Sequence, residues 1–499
     1  MSFYVTTPIY YVNAAPHLGH AYTTIAADVM ARHHRQRGDD VFFLTGTDEH
    51  GEPVALAAEA AGVTPRELAD LNSERFRALG PRLGASNDFF IRTSDPEHGR
   101  RVQEVLTRVK DNGHVYEGTY EGWYCPRCAD FKTESEVEDG NRCPIHHIEL
   151  IWEQEENWFF RLSTFQEPLE RLYAEQPEFV RPRARYNEAL SFVRGGLQDI
   201  SLTRAKTRWG IAVPWAPGQV FYVWFDALLN YYTALGYARN GEDLTPRFWP
   251  ASYHLIGKDI LKFHTVFWPA MLMAAGLPLP HNVFVHGFLL MDGEKMSKSL
   301  GNVLDPFAVI DRYGTDALRF YLLRDVPFGQ DGSVSTAAFE ARYETELAND
   351  LGNLASRTIA MIHRYRDGVV PASAPDPALV ADFEALVPRV CELVDRAELT
   401  QALEEAWERV RRLNRYVEEQ APWKLAKDDT RAADLDRVLA TLAEGLRVVT
   451  VVLAAWLPTT ATTLLDALGA PDLALDGARL GAGALGRVAT IEPLFPKGR

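Results

Sequence analysis

Cysteine is scarce in this chain, four in 499 residues, and three of the four crowd between Cys125 and Cys143. That distribution excludes a disulfide framework spread through the fold and fits a metal site in a reducing compartment. Long apolar runs are also missing: the longest, Val448 to Leu457, is broken by Thr450 and falls far short of the ~20 residues that span a bilayer. The opening Met-Ser-Phe-Tyr-Val-Thr-Thr-Pro has no basic segment followed by an apolar stretch, so no secretory signal is expected and the reading is a cytoplasmic protein without membrane contact. Positive charge is in short supply, with Lys+Arg 52 against Asp+Glu 68 and a net charge of −16. Indiscriminate coating of nucleic acid is thereby disfavoured, whereas local basic clusters can still meet an RNA. Such clusters are Arg181, Arg183 and Arg185; Arg204, Lys206 and Arg208; and Arg409, Arg411, Arg412 and Arg415. Internal repeats and long low-complexity tracts are absent as well.

What is present is a soluble-type composition, 46% apolar, in a chain too long for one hydrophobic core. Phe3 to Thr7 reads as a buried strand and Pro16 to about Arg37 as a helix, with Leu18, Tyr22, Ile25, Ala26 and Val29 at core spacing and Gly38 as the stop. Val41 to Thr45 is a second strand, opening into Gly46-Thr47-Asp48-Glu49-His50-Gly51. Strand, helix and strand make a right-handed crossover with polar residues at the carboxyl end of the sheet, where open α/β sheets bind ligands. From about Tyr116 the text turns to Gly, Cys and charge until Val213, and strand-like signals resume at Val220 to Phe225, His254 to Ile256 and Val283 to Gly287. A helical segment is expected at Asp311 to Leu323, loops at Val370 to Pro377 and Gly469 to Ala484, and almost pure helix beyond about Phe339.

Two motifs carry chemistry. His17-Leu18-Gly19-His20 puts two imidazoles on one face of a helix start, where backbone N–H groups and the helix dipole favour phosphate. Far downstream, Lys295-Met-Ser-Lys298-Ser supplies mobile ammonium groups. In this order, split by an insertion, they resemble the two signatures of class I aminoacyl-tRNA synthetases. The second matches letter for letter, and the first differs only by Leu for Ile, a swap of equal volume.

Inside the insertion, Cys125-x2-Cys128 and Cys143-x2-His146 offer three thiolates and one imidazole at the spacing that closes a tetrahedron around zinc, with Pro126 and Pro144 as turn residues. No position is left open, so one structural Zn2+ per chain is expected, His147 competing with His146 as fourth ligand.

The resemblance narrows to methionyl-tRNA synthetases through Tyr10-Tyr11-Val12-Asn13, Thr47 to Gly51, Phe221 to Ala227, Ile256 to Ile260, Phe263-His264 and His286-Gly287-Phe288. One knuckle with a histidine is similar to a known form of that family. The resemblance implies a Rossmann-type α/β catalytic domain with a zinc-binding insertion, followed by an all-α anticodon-binding bundle. The expected division is 1–115 and 216–287 for the two catalytic halves, 116–215 for the insertion, 288–338 for the KMSKS and stem-contact region, and 339–499 for the bundle.

Carried over residue by residue, Ile9, Tyr11, Trp224, Ala227, Leu228, Tyr231, Ile260, Phe263 and His264 would line a pocket for L-methionine, with Asp48 taking the α-ammonium. The chemistry agrees, since a polarisable thioether packs on aromatic edges and a carboxylate pairs an ammonium. Leu228 stands where many relatives carry Pro. Asn13, His17, Gly19, His20, Gly257 and Asp259 would hold ATP, Lys295 and Lys298 would close on the leaving pyrophosphate, and Mg2+ would accompany the nucleotide. Asn353, Arg357 and Trp423 would read the anticodon of tRNA(Met), initiator included. No room is left after the helical text for the dimerising module some relatives append, so a monomer is expected. The rivals are a class I synthetase for leucine, isoleucine, valine or cysteine, disfavoured by the lack of a long editing insertion, and a binding-only relative, disfavoured by complete activation motifs.

Overall fold

The computed structural model of the protein describes residues 1–126, 130–132, 134, 137–145, 147–291, 294–295 and 305–497. Among them, six parallel strands form the main sheet, in the order Phe89–Arg92, Asp40–Asp48, Ser2–Tyr11, Tyr253–Gly257, Val283–His286 and Val180–Arg181. The chain thus starts at the centre of the sheet, winds outward in one direction and returns to wind in the other. The reversal leaves a crevice between the carboxyl ends of Ser2–Tyr11 and Tyr253–Gly257, the place where such sheets accept ligands.

The helix Leu18–Gln36 connects the first two strands and is buried along most of its length, Tyr22, Ile25, Ala26 and Val29 completely. It joins Val5 and Phe43 in one core, while Tyr4, Phe42 and Leu44 face a second core on the opposite side of the sheet. Between Thr6 and Ile9 the first strand carries an extra residue: Thr6 pairs with Leu44, yet Ile9 pairs with Gly46. Pro8 sits in this bulge, where no ladder donor is needed. Beyond it the faces exchange, Ile9 and Tyr11 packing on the second core and Tyr10 and Val12 on a small third one.

The stretch Val220 to Phe225, expected as a strand, is one only at Val220–Phe221; Val223–Thr233 is a helix whose residues are all buried except Tyr232. A helix buried on every side has no amphipathic period, and its aromatic start reads like a buried strand. The segment Asp311 to Leu323 is two helices, Pro306–Tyr313 and Thr315–Asp325, separated by Gly314 at φ +89. The insertion is built on the antiparallel pair Val115–Cys125 and Ile151–Phe160. It is not one body apart from the catalytic half, because Val180 and Arg181 pair with Val283 and Phe284 as the outer edge of the main sheet, pinned by buried Phe179.

Beyond Phe339 the fold is helical, with Leu399–Gln420 and Ala432–Leu453 packed around Trp407 and Trp456, both fully buried. This core is continuous with that under Leu18–Gln36. No helix among the described residues is long and apolar enough to cross a membrane.

Candidate active site

At the crevice lies a cavity of about 290 Å³. Ile9, Tyr11, Asn13, His17, Gly19, His20, Asp48, Trp224, Ala227, Leu228, Tyr231, Gly257, Asp259, Ile260 and His264 all line it, coming from four separate stretches of sequence.

The helix start is organised by its own histidines. The Gly19 N–H donates to His17 Nδ1 at 3.1 Å, and the His17 N–H donates to His20 Nδ1 at 3.1 Å. The rings lie 3.8 Å apart. Because each Nδ1 is an acceptor, each neutral ring carries its proton on Nε2. Burial, with His17 next, holds His20 well below the ordinary histidine range, so this is a neutral donor at neutral pH. At Gly19 a Cβ would press on the His17 ring at 3.0 Å, so any larger residue there would push that ring aside.

Asp48 ends the second strand at 2% exposure. Among the described residues its Oδ1 has no hydrogen-bond partner. Burial first, then the neighbouring Asp226 and Glu49 carboxylates, hold its pKa well above the usual range, with the His50 backbone N–H opposing them. A buried carboxyl with an unused oxygen at a cavity wall is a receptor for a cation.

Opposite, the walls are apolar. Trp224 stacks on Phe263 at 3.7 Å and 7°, so Phe263 stands behind the lining rather than in it. Tyr11 meets Trp224 edge-on at 6.2 Å. At the far end His264 Nδ1 faces the Ile260 carbonyl at 3.1 Å and Nε2 faces the Tyr231 hydroxyl at 2.7 Å. With Nδ1–H donating, Nε2 accepts from the tyrosine, and burial lowers His264 to about 4, fixing the neutral form.

On the nucleotide side, a Cβ on Gly257 would lie 2.6 Å from Asp259 Oδ1, so only glycine leaves that carboxylate its place. Pro8, Tyr10, Ala14, Thr23, His286 and Phe288 also line the cavity and were missed as site residues by sequence reasoning. Thr23 and His286 are linked at 2.7 Å. The signal for Thr23 was available, one turn beyond Gly19 on the same helix; for His286 it was the carboxyl end of a sheet strand beside the switch point.

Residues 3–150 and 141–359 match the family model described as tRNA synthetases class I (M). The methionine–tRNA ligase of Streptomyces coelicolor is 46% identical, with 99% of this chain aligned to 96% of that protein. That of Caldanaerobacter subterraneus subsp. tengcongensis is 45% identical over 99% of this chain and 79% of its own length. Mycobacterium tuberculosis methionyl-tRNA synthetase in complex with methionyl-adenylate superposes with a TM-score of 0.95 at 42% identity, over 99% of this chain and 100% of that one. The chain belongs to the methionyl-tRNA synthetases.

It is therefore a class I ligase, and the cavity lies where that family's signature stretches converge. Of the KMSKS stretch, the Lys295 backbone pairs with Leu290 in a short antiparallel ladder, and Lys298 lies outside the described residues.

In the synthetase's insertion, Cys125 and Cys143 are both fully buried and share a small cluster with Leu150. Cys128 and His146 lie outside the described residues. His147 is turned outward, its Nδ1 3.0 Å from Glu138 Oε2.

In the helical part, Asn353 and Arg357 are exposed on one face, and the Arg357 guanidinium lies 5.9 Å from the Trp423 ring while pairing with Glu418 at 2.8 Å. The basic clusters are largely taken up in ion pairs. Arg411 meets Glu346 and Glu404, Arg412 meets Asp382 and Glu419, and Arg204 is buried against the Tyr222 ring.

Proposed function

We propose that this synthetase activates L-methionine with ATP, releasing pyrophosphate, and passes the methionyl group from the adenylate to the 3′-terminal adenosine of tRNA(Met), initiator included. The observation that supports the amino-acid choice is the pairing of Asp48, with its unused oxygen, and the stacked wall Trp224 and Phe263 across one cavity. A zwitterionic amino acid with a flexible apolar tail fits both ends.

In this reading Asp48 holds the α-ammonium, and Ile9, Tyr11, Ala227, Leu228, Tyr231, Ile260 and His264 enclose the thioether. The carboxylate then attacks the α-phosphate in line, forming one O–P bond as the bond to pyrophosphate breaks. No protein nucleophile is required; the residues orient the reactants and stabilise charge. His17 and His20 donate Nε2–H to the phosphates, Asn13, Gly19, Gly257 and Asp259 hold phosphate and ribose, and Lys295 and Lys298 neutralise the departing pyrophosphate. Mg2+ would accompany the nucleotide and offset part of its phosphate charge.

The two buried cysteines fit a structural Zn2+, whose ligands would be Cys125, Cys128, Cys143 and His146; the outward turn of His147 favours His146 as the fourth. Bound zinc supplies folding energy to the insertion. Asn353, Arg357 and Trp423 are assigned to the anticodon by stacking and edge contacts. We assign the enzyme to the cytoplasm as a monomer, which a sedimentation mass near twice 56.0 kDa would overturn.

The test is amino-acid-dependent ATP–pyrophosphate exchange, with leucine, isoleucine, valine and cysteine beside methionine and Lys298→Ala as control. Exchange with methionine alone, lost in the variant, is expected; exchange with another amino acid refutes the pocket. Metal analysis should find one zinc per chain, and chelation should unfold the insertion first.

A further inference from the structure

A second buried carboxylate stands behind the cavity, and the mechanism above leaves it unused. Asp226 is 1% exposed and lies on the helix that presents Trp224, Ala227, Leu228 and Tyr231 to the cavity, without lining it itself. Both its oxygens are held by imidazoles. His50 Nδ1 is 2.6 Å from Oδ2, and His98 Nε2 is 2.8 Å from Oδ1. His98 is steadied in turn by Thr233, on the same helix as Asp226, at 2.7 Å. Burial pushes the Asp226 carboxyl up, but the two histidines outweigh it and hold it below the ordinary range.

His50 joins this cluster to the substrate site. Its backbone N–H faces the Asp48 carboxylate while its ring holds Asp226, so two buried carboxylates meet across one residue. Among the described residues, Glu49 and Tyr231 also face Asp48. Glu49 is met by the Arg92 guanidinium at 2.6 and 2.9 Å, so its charge is largely countered. Tyr231 stays neutral, burial pushing it far up. The negative charge behind Asp48 is therefore chiefly that of Asp226.

We propose that Asp226, clamped by His50 and His98, is a positioning residue for substrate selection: it fixes the Thr47–Gly51 turn and adds negative potential behind Asp48, so that the pocket favours an amino acid carrying an α-ammonium over its deaminated analogue. The inference rests on the reading that Asp48 receives that ammonium. A purely architectural Asp226 would act on all occupants of the pocket alike, whereas an electrostatic one acts on the cation alone.

The experiment uses Asp226→Asn and His98→Gln in the full chain. The readouts are KM for methionine and for ATP in pyrophosphate exchange, kcat, and inhibition by 4-(methylthio)butanoate, which is methionine without its amino group. For Asp226→Asn, KM for methionine should rise about tenfold or more through loss of a close charge interaction, while kcat, KM for ATP and inhibition by the analogue stay within about threefold. His98→Gln keeps the Asp226 charge and one N–H, and should move methionine alone by a smaller factor; it decides the question if the first variant does not fold. Equal weakening of methionine and analogue, or an unchanged methionine KM, overturns the proposal. Absence of methionine exchange in the unaltered protein would instead overturn the underlying reading of the site.

Discussion

Arg319 and Asp28 form an ion pair at 2.7 Å in which both side chains are fully removed from solvent. The guanidinium also donates to the carbonyls of Leu83, Ala455 and Trp456, and Asp28 accepts from the Ser86 N–H and hydroxyl and from Arg32. One pair thus fastens the first helix, the helix Thr315–Asp325 and the end of Ala432–Leu453 to one another, at the junction of the sheet half and the helical half. Burial pushes Asp28 up, but Arg319 and Arg32 prevail and its pKa falls below the ordinary value.

Arg319→Met should therefore cost about 3–5 kcal/mol, because it strands a buried anion. Asp28→Asn in the same chain should recover part of the loss. Since the folded pKa of Asp28 is depressed, its contribution is full above the unfolded value and disappears on acidification. The gap between parent and Arg319→Met in urea unfolding should then narrow as pH falls below about 4. A gap independent of pH would refute the assignment.

His33 is fully buried, and among the described residues neither ring nitrogen has a hydrogen-bond partner. Burial, followed by His34 and Arg37, lowers its pKa to about 3. A histidine with a depressed folded pKa contributes stability above its unfolded pKa of about 6.5 and loses it progressively toward the folded value as pH falls. His33→Leu, similar in size, should raise stability at pH 7 by about 1 kcal/mol, by removing an unsatisfied ring. It should also flatten the decline of Tm between about pH 6.5 and 4.5. A steeper decline in the variant would count against this account.

At Asp48 stability and function should part. Its raised pKa means that ionising this carboxyl costs stability in the fold, so Asp48→Asn should unfold at a higher temperature than the parent. Methionine-dependent exchange should fall by about a hundredfold or more as the ammonium loses its counter-ion. Calorimetry beside the exchange assay reads both, and a variant that loses stability together with activity would show the carboxylate to be architectural.

Trp423→Ala and Arg357→Ala should leave exchange unchanged, because both residues lie in the helical part away from the cavity. Aminoacylation kcat/KM should drop by about 1–3 kcal/mol per lost stacking contact, roughly tenfold or more. Equal loss in both assays would remove these residues from anticodon reading.

Four of the six main-sheet strands were legible because each carries a short apolar run, and the connecting helix a clean apolar stripe, as in Tyr22, Ile25 and Val29; the short edge strands Phe89–Arg92 and Val180–Arg181 were not expected. The same rule failed at Val223–Thr233, where burial on all sides erases the stripe. Most cavity residues could be named because they sit in contiguous signatures. Tyr10 lies inside one of those signatures and Thr23 just beyond another, but their role depends on which way the strand and helix face. The Asp226 cluster could not be read at all, since its partners are 176 and 128 residues away and only the fold brings them into contact.

The extra residue in the first strand acts as a phase shift. Upstream of it odd-numbered side chains, Phe3 and Val5, point to the helix Leu18–Gln36; downstream Ile9 and Tyr11 point to the opposite side and so reach the cavity with Trp224. Removing one of Thr7 and Pro8 would leave a single residue opposite Thr45 and could keep every parallel pairing, with Ile9 and Tyr11 on the face they already hold, because the partners Leu44 and Gly46 share a face. The strand should therefore accept the loss of one bulge residue, while the loss of one residue beyond it, such as Tyr10, would put Tyr11 in the pairing position opposite Thr47 and turn it away from Ile9.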